Sequence, residues 1–276
     1  MKEKISILIS NYNNDKFLNR CINSCLTQTY SNKEIIIVDD SSTDNSCNVL
    51  KKYAKYKNIK VVFNKIKMSK YPALNQFNAI IKAFKRSNGK IICLLDSDDF
   101  FERNKLKEIA KYFKKNIKET FIQDVPYFYY SKNKKIIKYL TKSNFTAFPS
   151  FYPTSTMSFK RIFFDRFILN SFYKNYPLVE IDARIAIFVH YLHSKIPIIK
   201  KNLTNYYQNN FGINSNNSKF SFNWWIKRNE MHDFIKFFNA KKEIKFNLSL
   251  DYLATKLIFF FLKAAKVKYK SRLMLK

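Results

Sequence analysis

Runs of apolar residues alternate with helical periodicity over the first 115 residues of the chain. The runs ISILI, EIIIV, IKVVF and IICLL, at residues 5–9, 34–38, 59–63 and 91–95, predict four buried strands. Between these runs, apolar residues recur at intervals of three and four, which predicts a helix after each of the first three strands. This alternation is typical of a mostly parallel, Rossmann-like sheet flanked by helices, so the predicted fold class is α/β.

The pattern is looser over the rest of the chain. We expect irregular structure and short strands at 121–172, a helix at 182–192, a strand at 196–200, a loop at 202–221 and a helical tail. These changes predict three parts, at residues 1–115, 116–215 and 216–276. The first two are halves of one domain, and the last is a basic helical C-terminal extension.

Polar clusters follow three of the predicted strands. SNYNND follows the first strand, DDSSTDNS the second and DSDD the fourth. Ligands of parallel α/β sheets bind beyond the carboxyl ends of the strands, so we expect these three loops to meet in one crevice. The three carboxylates of DSDD, which are Asp96, Asp98 and Asp99, repel one another unless a positive charge neutralises them.

The composition narrows the ligand class. Lys and Arg number 51 against 20 Asp and Glu, a formal charge of +31, which indicates an anionic partner such as a phosphorylated ligand, a nucleic acid or an acidic membrane. With only two glycines, the chain has neither a Walker A loop nor a GxGxxG fingerprint. A divalent metal on carboxylates, Mn²⁺ or Mg²⁺, is therefore the expected means of holding phosphates.

The compartment follows from the cysteines and the apolar runs. Cys21 and Cys25 lie one helical turn apart among apolar neighbours, and we interpret both as small core residues. No signal-peptide pattern begins the sequence, and no run approaches the ~20 apolar residues of a membrane span. We expect a protein of the cytoplasm.

The sequence resembles family 2 glycosyltransferases of the GT-A fold. The resemblance rests on the strand runs and polar clusters quoted above, in this order and spacing, together with QTY at the end of the first helix. The resemblance covers residues 4–113 closely and is weaker beyond residue 150. It implies inverting transfer of a sugar from a nucleotide-sugar donor, a UDP-sugar, to a saccharide or lipid-linked acceptor. Residues 1–115 would bind the donor, and residues 116–215 the acceptor.

The resemblance also implies roles for individual residues. Tyr12 would lie against the base, Asp40 would accept a hydrogen bond from uracil or a related base, and Asp98 would bind the metal. Asp96 would contact the ribose or a metal-bound water, and Lys70, where the family often has Arg, would reach the base or the diphosphate. The predicted nucleotide-binding set is Ser10, Asn11, Tyr12, Asp40, Lys70, Asp96 and Ser97.

Simpler interpretations compete at several of these positions. Tyr12 could serve packing alone, and Asp39 and Asp40 could cap the turn that follows them, which we favour for Asp39 only. We expect Asp99 to face outward at a helix N-terminus, where the helix dipole favours an acid, and not to be a ligand.

The catalytic base is expected near the start of the helix at 182–192. The family usually places a Glu-Asp pair there, but this chain reads VEID, so Glu180 and Asp182 compete for the role. We favour Asp182, which precedes Arg184, a residue that could orient it; the competing interpretation makes Asp182 a helix N-cap.

Other residues of the second half have weaker indications. Ser155, Thr156 and Ser158 are candidates for the acceptor site. Trp224 and Trp225 could stack on a sugar or close the core, and we favour the core.

The last 25 residues join a short apolar stretch to a basic one. Lys263, Lys266, Lys268, Lys270 and Arg272 follow LIFFFL. This composition suits a helix on an anionic membrane surface, here the inner face of the plasma membrane, and family members often act on lipid-linked acceptors. The alternative is a helix that packs on the domain.

We therefore predict a metal-dependent glycosyltransferase of bacterial surface polysaccharide or lipooligosaccharide synthesis. Two alternatives lack transferase activity. A receiver-type regulatory domain would explain IIIVDD, but a full strand and helix precede that acidic pair. A nucleic-acid-binding protein would explain the charge, but acids in DSDD would repel phosphate, so we expect no nucleic acid as partner.

Overall fold

The computed structural model of the chain describes residues 2–130, 135–141, 146–171, 175–193, 195–208, 220–241 and 248–273, and for residues 193, 241 and 265–273 it describes the backbone alone. The side chains of Lys266, Lys268, Lys270 and Arg272, which belong to the predicted membrane contact, therefore lie outside the described residues.

The first half follows the predicted alternation of strands and helices. Its elements are β1 (Ile5–Asn11), α1 (Asp15–Leu26), β2 (Lys33–Asp39), α2 (Ser46–Tyr53), β3 (Ile59–Phe63), α3 (Pro72–Arg86), β4 (Ile91–Asp96), β5 (Phe100–Phe101) and α4 (Lys105–Lys115). The strand and helix predictions for this half are confirmed.

The second half is more regular than predicted. It contains β6 (Phe121–Tyr129), β7 (Lys135–Ile137), β8 (Met157–Lys160), α5 (Arg161–Asn170), α6 (Ile181–His193), β9 (Ile198–Tyr207), α7 (Phe222–Lys241) and α8 (Leu250–Leu273). The loop predicted at 202–221 is wrong for residues 202–207, which continue β9, whereas residues 209–219 lie outside the described part.

The nine described strands form one sheet, in the order β3-β2-β1-β4-β8-β6-β9-β5, with β7 paired to β6. β3, β2, β1 and β4 are parallel, β8 is antiparallel to both β4 and β6, and β9 is parallel to β6. The register of β6 on β9 shifts between Asp124 and Pro126. A proline without an N–H group is tolerated at such an irregularity, so Pro126 does not end β6.

The sheet has an apolar core on each face. One is rich in phenylalanine from α3, α5 and α6, including Phe77, Phe164 and Phe188. The other contains Cys21, Cys25 and Cys93, which are free thiols, so the two predicted core cysteines are confirmed.

A buried ion pair ties the second half of the sheet to α4. Lys105 and Asp124 have no solvent exposure, and their charged atoms lie 2.8 Å apart. The Lys105 ammonium also donates to the Ser155 carbonyl oxygen and to Thr204 Oγ1, at 2.6 Å each. Three hydrogen bonds satisfy this buried ammonium, as a desolvated charge requires.

Candidate active site

The parallel register aligns the strand ends that carry the predicted site residues. Asn11 pairs with Asp39 across β1 and β2, and Ser10 pairs with Asp96 across β1 and β4. A cavity of about 840 Å³ opens beyond these ends. Its walls include all ten predicted site residues: Ser10, Asn11, Tyr12, Asp40, Lys70, Asp96, Ser97, Asp98, Glu180 and Asp182.

Hydrogen bonds join the loops that follow β1 and β2. The Asn11 amide donates to Asp39 Oδ1 at 2.7 Å, and the Ser42 hydroxyl donates to the same oxygen at 2.6 Å. Asn13 Oδ1 accepts from the Thr43 N–H at 2.7 Å. Asp39 therefore stabilises the turn, as we favoured, and the Asn11 side chain is engaged in that turn while the residue lines the cavity.

Asp40 lies in the cavity wall, which Lys67 and Lys70 also line. Its Oδ1 accepts from the Asn64 amide at 2.9 Å, and burial raises its pKa. Tyr12 is 42% exposed, and the Lys67 ammonium lies 3.5 Å from the centroid of its ring. Lys70 was the lysine predicted for this site, and Lys67 was not predicted; the three lysines in the loop after β3, at 65, 67 and 70, were the signal for it.

The acidic loop after β4 presents two carboxylates to the cavity. Asp96 Oδ1 accepts from the Gln76 amide of α3 at 2.8 Å. Burial, followed by the charge of Asp98, raises the pKa of Asp96 to about 8. Between them, the Ser97 hydroxyl accepts from the Asn14 amide at 2.9 Å.

Asp99 does not face outward, so that prediction is wrong. The residue is fully buried; its Oδ2 accepts from the Ser155 hydroxyl at 2.5 Å and its Oδ1 from the Tyr207 N–H at 2.7 Å. Burial and the neighbouring acids raise its pKa. The candidate acceptor residues Ser155, Thr156 and Ser158 are also fully buried, so they do not form the acceptor surface.

The donor atoms in the cavity fit a divalent cation that also contacts a ligand. Asp96 and Asp98 supply carboxylate oxygens, the ligand type that Mg²⁺ and Mn²⁺ prefer, and a cation would relieve the repulsion that raises the pKa of Asp96. Within the described residues, no group of three or more His, Cys, Asp or Glu side chains could hold a metal ion. A cation here would need phosphate and water oxygens to complete its coordination.

Glu180 and Asp182 lie in the cavity wall at the start of α6. The Lys227 ammonium of α7 donates to Glu180 Oε1. Asp182 Oδ1 accepts from the Ala183 N–H at 2.7 Å, and burial, followed by the charge of Glu180, raises the pKa of Asp182 to about 7. Asp182 thus contacts the helix N-terminus and lines the cavity at once.

Arg184 is fully buried. Its described hydrogen bonds run to the carbonyl oxygens of Val179, Ser171 and Tyr176, all of which precede the helix. These bonds fix the segment that leads into α6.

The sequence model of glycosyl transferase family 2 matches residues 6–173. The chain belongs to this family. An uncharacterised glycosyltransferase of Nostoc sp. is 40% identical over 110 residues, which are 40% of this chain and 33% of that protein. A poly(ribitol-phosphate) beta-glucosyltransferase of Bacillus spizizenii is 36% identical over 116 residues, which are 41% of this chain and 18% of that protein. The matches thus span a third or less of these two relatives.

Solved structures show the same fold. S. aureus TarS 1–349 in complex with UDP-GlcNAc superposes with a TM-score of 0.62 at 16% identity, over 93% of this chain and 70% of that one. The mannosyltransferase PcManGT of Pyrobaculum calidifontis, in complex with GDP-Man and Mn²⁺, superposes with a TM-score of 0.55 at 12% identity. The superposition covers 98% of this chain and 76% of that one. The predicted GT-A fold of this family 2 glycosyltransferase is confirmed.

One wall of the glycosyltransferase cavity consists of residues that were not predicted from the sequence. Tyr206 and Tyr207 at the end of β9, with Gln208 after them, line the cavity. Burial raises the pKa of the Tyr206 phenol, and the acids Asp99 and Asp182 raise it further. The Asn-rich composition after residue 202 indicated a loop, whereas pairing with β6 extends the strand.

Trp224 and Trp225 are half-buried and lie outside both apolar cores. Their ring centroids are 4.6 Å apart, and the Phe220 ring lies 5.3 Å from Trp224. Neither is among the described residues that line the cavity. The favoured core role is therefore wrong, and the two rings form a small cluster at the start of α7.

α8 is held by hydrogen bonds at its first turn and exposes a stripe of apolar side chains from Leu250 onward. Asp251 accepts from Arg228 Nε at 2.7 Å and from the Thr146 hydroxyl at 2.8 Å, and its pKa is lowered to about 2 by its hydrogen bonds, His232 first, which outweigh the effect of burial. The exposed residues recur at helical spacing: Leu250, Leu253, Leu257, Phe260 and Phe261. Among the described helices, none has the length and apolarity needed to cross a membrane.

Proposed function

We propose that the protein transfers a glycosyl group, with inversion, from a nucleotide-sugar donor to a hydroxyl of a saccharide or lipid-linked acceptor. The observation that carries this proposal is the single cavity that joins Tyr12, Asp40, Asp96 and Asp98 with Asp182. A base pocket, a pair of acids that can hold a divalent cation and a proton acceptor are the parts that the reaction needs. Family membership favours this activity over the nucleic-acid and receiver alternatives.

The nucleotide half of the cavity would bind the donor, a UDP-sugar. Tyr12 offers a ring face for the base, with Lys67 above it, and Asp40 offers a carboxylate oxygen to a base N–H. Lys67 and Lys70 supply positive charge on the same wall, where a diphosphate would gain from it. The structural relative TarS forms a complex with UDP-GlcNAc, which supports a uracil nucleotide as the ligand class here.

Asp98, with Asp96 beside it, would hold Mn²⁺ or Mg²⁺ against the diphosphate. When bound, such a cation stabilises the negative charge that develops on the departing nucleoside diphosphate. Asp96 keeps its carboxylate directed by the Gln76 amide.

Asp182 would remove the proton from the acceptor hydroxyl. A carboxylate whose pKa is raised to about 7 is a stronger base than an ordinary one and is still partly ionised near neutral pH. The Glu180 carboxylate already accepts a hydrogen bond from the Lys227 ammonium. We therefore assign the base to Asp182, and Glu180 supports it by raising its pKa.

The acceptor would belong to bacterial surface polysaccharide or lipooligosaccharide synthesis. Relatives include the poly(ribitol-phosphate) beta-glucosyltransferase and a putative teichuronic acid biosynthesis glycosyltransferase of Bacillus subtilis, which is 32% identical over 108 residues.

We propose further that α8 lies on the anionic inner face of the plasma membrane. The stripe Leu250, Leu253, Leu257, Phe260 and Phe261 is between 52% and 70% exposed, so these side chains do not pack on the domain. Basic residues follow the stripe in the sequence, and apolar burial combined with positive charge is what an anionic bilayer surface binds.

Calorimetric titration with UDP tests the donor assignment. We expect UDP to bind in the presence of Mn²⁺, and Asp98→Asn to remove the Mn²⁺ dependence while leaving binding of free uridine intact. Asp40→Ala should weaken uridine binding about 10- to 100-fold, as expected for loss of a hydrogen bond to a charged group. Uridine binding that is unaffected by Asp40→Ala would refute the base pocket.

A further inference from the structure

The loop that carries Asp96 and Asp98 is held in place by contacts from distant parts of the chain. Within the loop, the Asp99 N–H donates to the Asp96 carbonyl oxygen at 3.0 Å, which closes a turn between β4 and β5. One turn bond does not set the directions of two mutually repelling carboxylates. Besides the bonds from Gln76 and Asn14 described above, a contact from α1 and one from the segment before β8 act on the backbone of this loop.

The contact from α1 is made by Arg20. Its Nη2 donates to the Asp98 carbonyl oxygen at 2.9 Å. Four aromatic rings surround the guanidinium, and its Cζ lies between 4.5 and 5.6 Å from their centroids: Phe17, Phe100, Tyr129 and Tyr207. Cation–π contacts of this kind fix a planar guanidinium, which in turn fixes the peptide that carries the Asp98 side chain.

The contact from the other side is made by Ser155. Its hydroxyl oxygen accepts from the Asp96 N–H at 2.9 Å, and the same hydroxyl donates to Asp99. Asp99 also accepts from the Tyr207 N–H, so the acid loop is joined to the end of β9. The Ser155 carbonyl oxygen accepts from the buried ammonium of Lys105, which anchors this serine to the core.

We propose that Arg20 and Ser155 are positioning residues, which hold Asp96 and Asp98 in the arrangement that a divalent cation and a nucleoside diphosphate require. The proposal rests on the proposed function of the two acids. Arg20 sets the backbone at Asp98, and Ser155 sets it at Asp96, so the two carboxylates keep their relative placement before the cation arrives. Asp99 faces inward and joins the loop to Ser155 and Tyr207 by hydrogen bonds; it is not a metal ligand in this proposal.

Two substitutions test the inference, each with a matched control. Ser155→Ala removes the hydroxyl that joins Asp96 to Asp99, and Ser158→Ala removes an equally buried hydroxyl that bonds Cys93 instead. Arg20→Lys keeps the charge but loses the planar group, and Arg103→Lys makes the same change at an exposed position. Mn²⁺ affinity is measured by electron paramagnetic resonance at saturating UDP, and uridine affinity is measured without metal.

We expect Ser155→Ala and Arg20→Lys each to weaken Mn²⁺ binding about 10-fold or more, in line with the effect of groups that orient metal ligands. Uridine affinity should stay at the wild-type value, and both controls should bind Mn²⁺ as the wild type does. General destabilisation of the fold would lower both affinities, so a loss of Mn²⁺ affinity alone would indicate a positioning role.

Several results would overturn the inference. Wild-type Mn²⁺ affinity in both variants would do so. A variant that loses Mn²⁺ affinity and uridine affinity to the same extent, or whose control loses as much Mn²⁺ affinity as it does, would do so as well. If Ser155→Ala does not fold, Arg20→Lys tests the inference by itself, because Arg20 is a half-buried residue of α1. Unchanged Mn²⁺ binding in Arg20→Lys would then refute the positioning role. Failure of the wild type to bind Mn²⁺ with UDP would refute the metal assignment in the proposed function, and this inference with it.

Discussion

Lys227 on α7 is hydrogen-bonded to the carboxylate of Glu180, while Asp182, two residues further on, accepts from the N–H of the next residue in α6. The two acids of VEID therefore have different surroundings within one cavity wall. The ammonium engages the Glu180 carboxylate, whereas burial and the Glu180 charge favour the protonated form of Asp182.

This difference predicts which acid acts as the base. Asp182→Asn should lower kcat for transfer by a factor of about 10² to 10⁴, the usual contribution of a general base, with UDP affinity unchanged. Glu180→Gln should lower kcat less, by removing the charge that raises the pKa of Asp182. Steady-state kinetics with Asp165→Asn, an exposed acid on α5, as control would measure both. Loss of transfer in Glu180→Gln with activity retained in Asp182→Asn would reverse the assignment.

The pH dependence of stability provides a second prediction. Asp182 and Asp96 have pKa values raised to about 7 and about 8, so between about pH 4 and pH 8 the folded chain holds protons that the unfolded chain releases. The folded state binds more protons in this window, and these two groups therefore lower the free energy of unfolding as the pH rises.

Urea titrations of the ligand-free protein at about pH 5 and pH 8 would measure this effect as the difference between wild type and the Asp96→Asn/Asp182→Asn double variant. The comparison cancels the self-repulsion of the large positive charge, which acts in the opposite direction. A stability difference between the two proteins that does not change with pH would contradict the prediction.

The buried pair of Lys105 and Asp124 predicts a large loss of stability on substitution. Lys105→Met leaves the Asp124 carboxylate buried without its cation, and we expect a loss of about 3–5 kcal/mol in the free energy of unfolding. Lys107→Met, an exposed lysine on the same helix, should change it by less than about 0.5 kcal/mol. The double variant Lys105→Met/Asp124→Leu should regain much of the loss; a double variant no more stable than Lys105→Met would contradict this account.

The exposed stripe of α8 predicts binding to anionic vesicles. Leu257→Glu/Phe260→Glu should abolish flotation with vesicles rich in phosphatidylglycerol, because both apolar area and charge complementarity are lost. Ile162→Glu/Leu169→Glu makes the same changes at exposed apolar residues of α5 and should leave flotation intact. Binding should also weaken as salt rises, as for charges on a surface. Unchanged flotation after deletion of residues 262–276 and in the α8 variant would exclude this role for the helix.

The first half of the fold was predictable because its signals are local. Four apolar runs, each bounded by polar residues, specify β1 to β4, and the parallel order of the strands brings their carboxyl ends to one edge. Ser10, Asp40 and Asp96 could therefore be assigned to one crevice from the amino-acid sequence alone. The pairings that shape the second half join residues far apart in sequence, and no local pattern reports them.

Asp99 illustrates this limit. Asp99 follows a strand and precedes a helix, and this local pattern is typical of an exposed acid at a helix N-terminus. Its partners are Ser155 and Tyr207, which are 56 and 108 residues away, and only the pairing of β9 with β6 and β5 brings Tyr207 near. Tyr206 was missed for the same reason, and Lys67 was missed because its ring partner Tyr12 belongs to a different loop.

The cross-linked turns after β1 and β2 have a consequence for how the cavity discriminates among bases. Asn13 and Ser41 hold left-handed backbone conformations, with φ of 50° and 61°, and the bonds of Asp39 and Thr43 lock the two turns together. A nucleotide would therefore meet walls that are already at their final spacing, and little ordering entropy would be lost on its arrival. We expect the base to be recognised by a preformed site rather than by one that becomes ordered on binding.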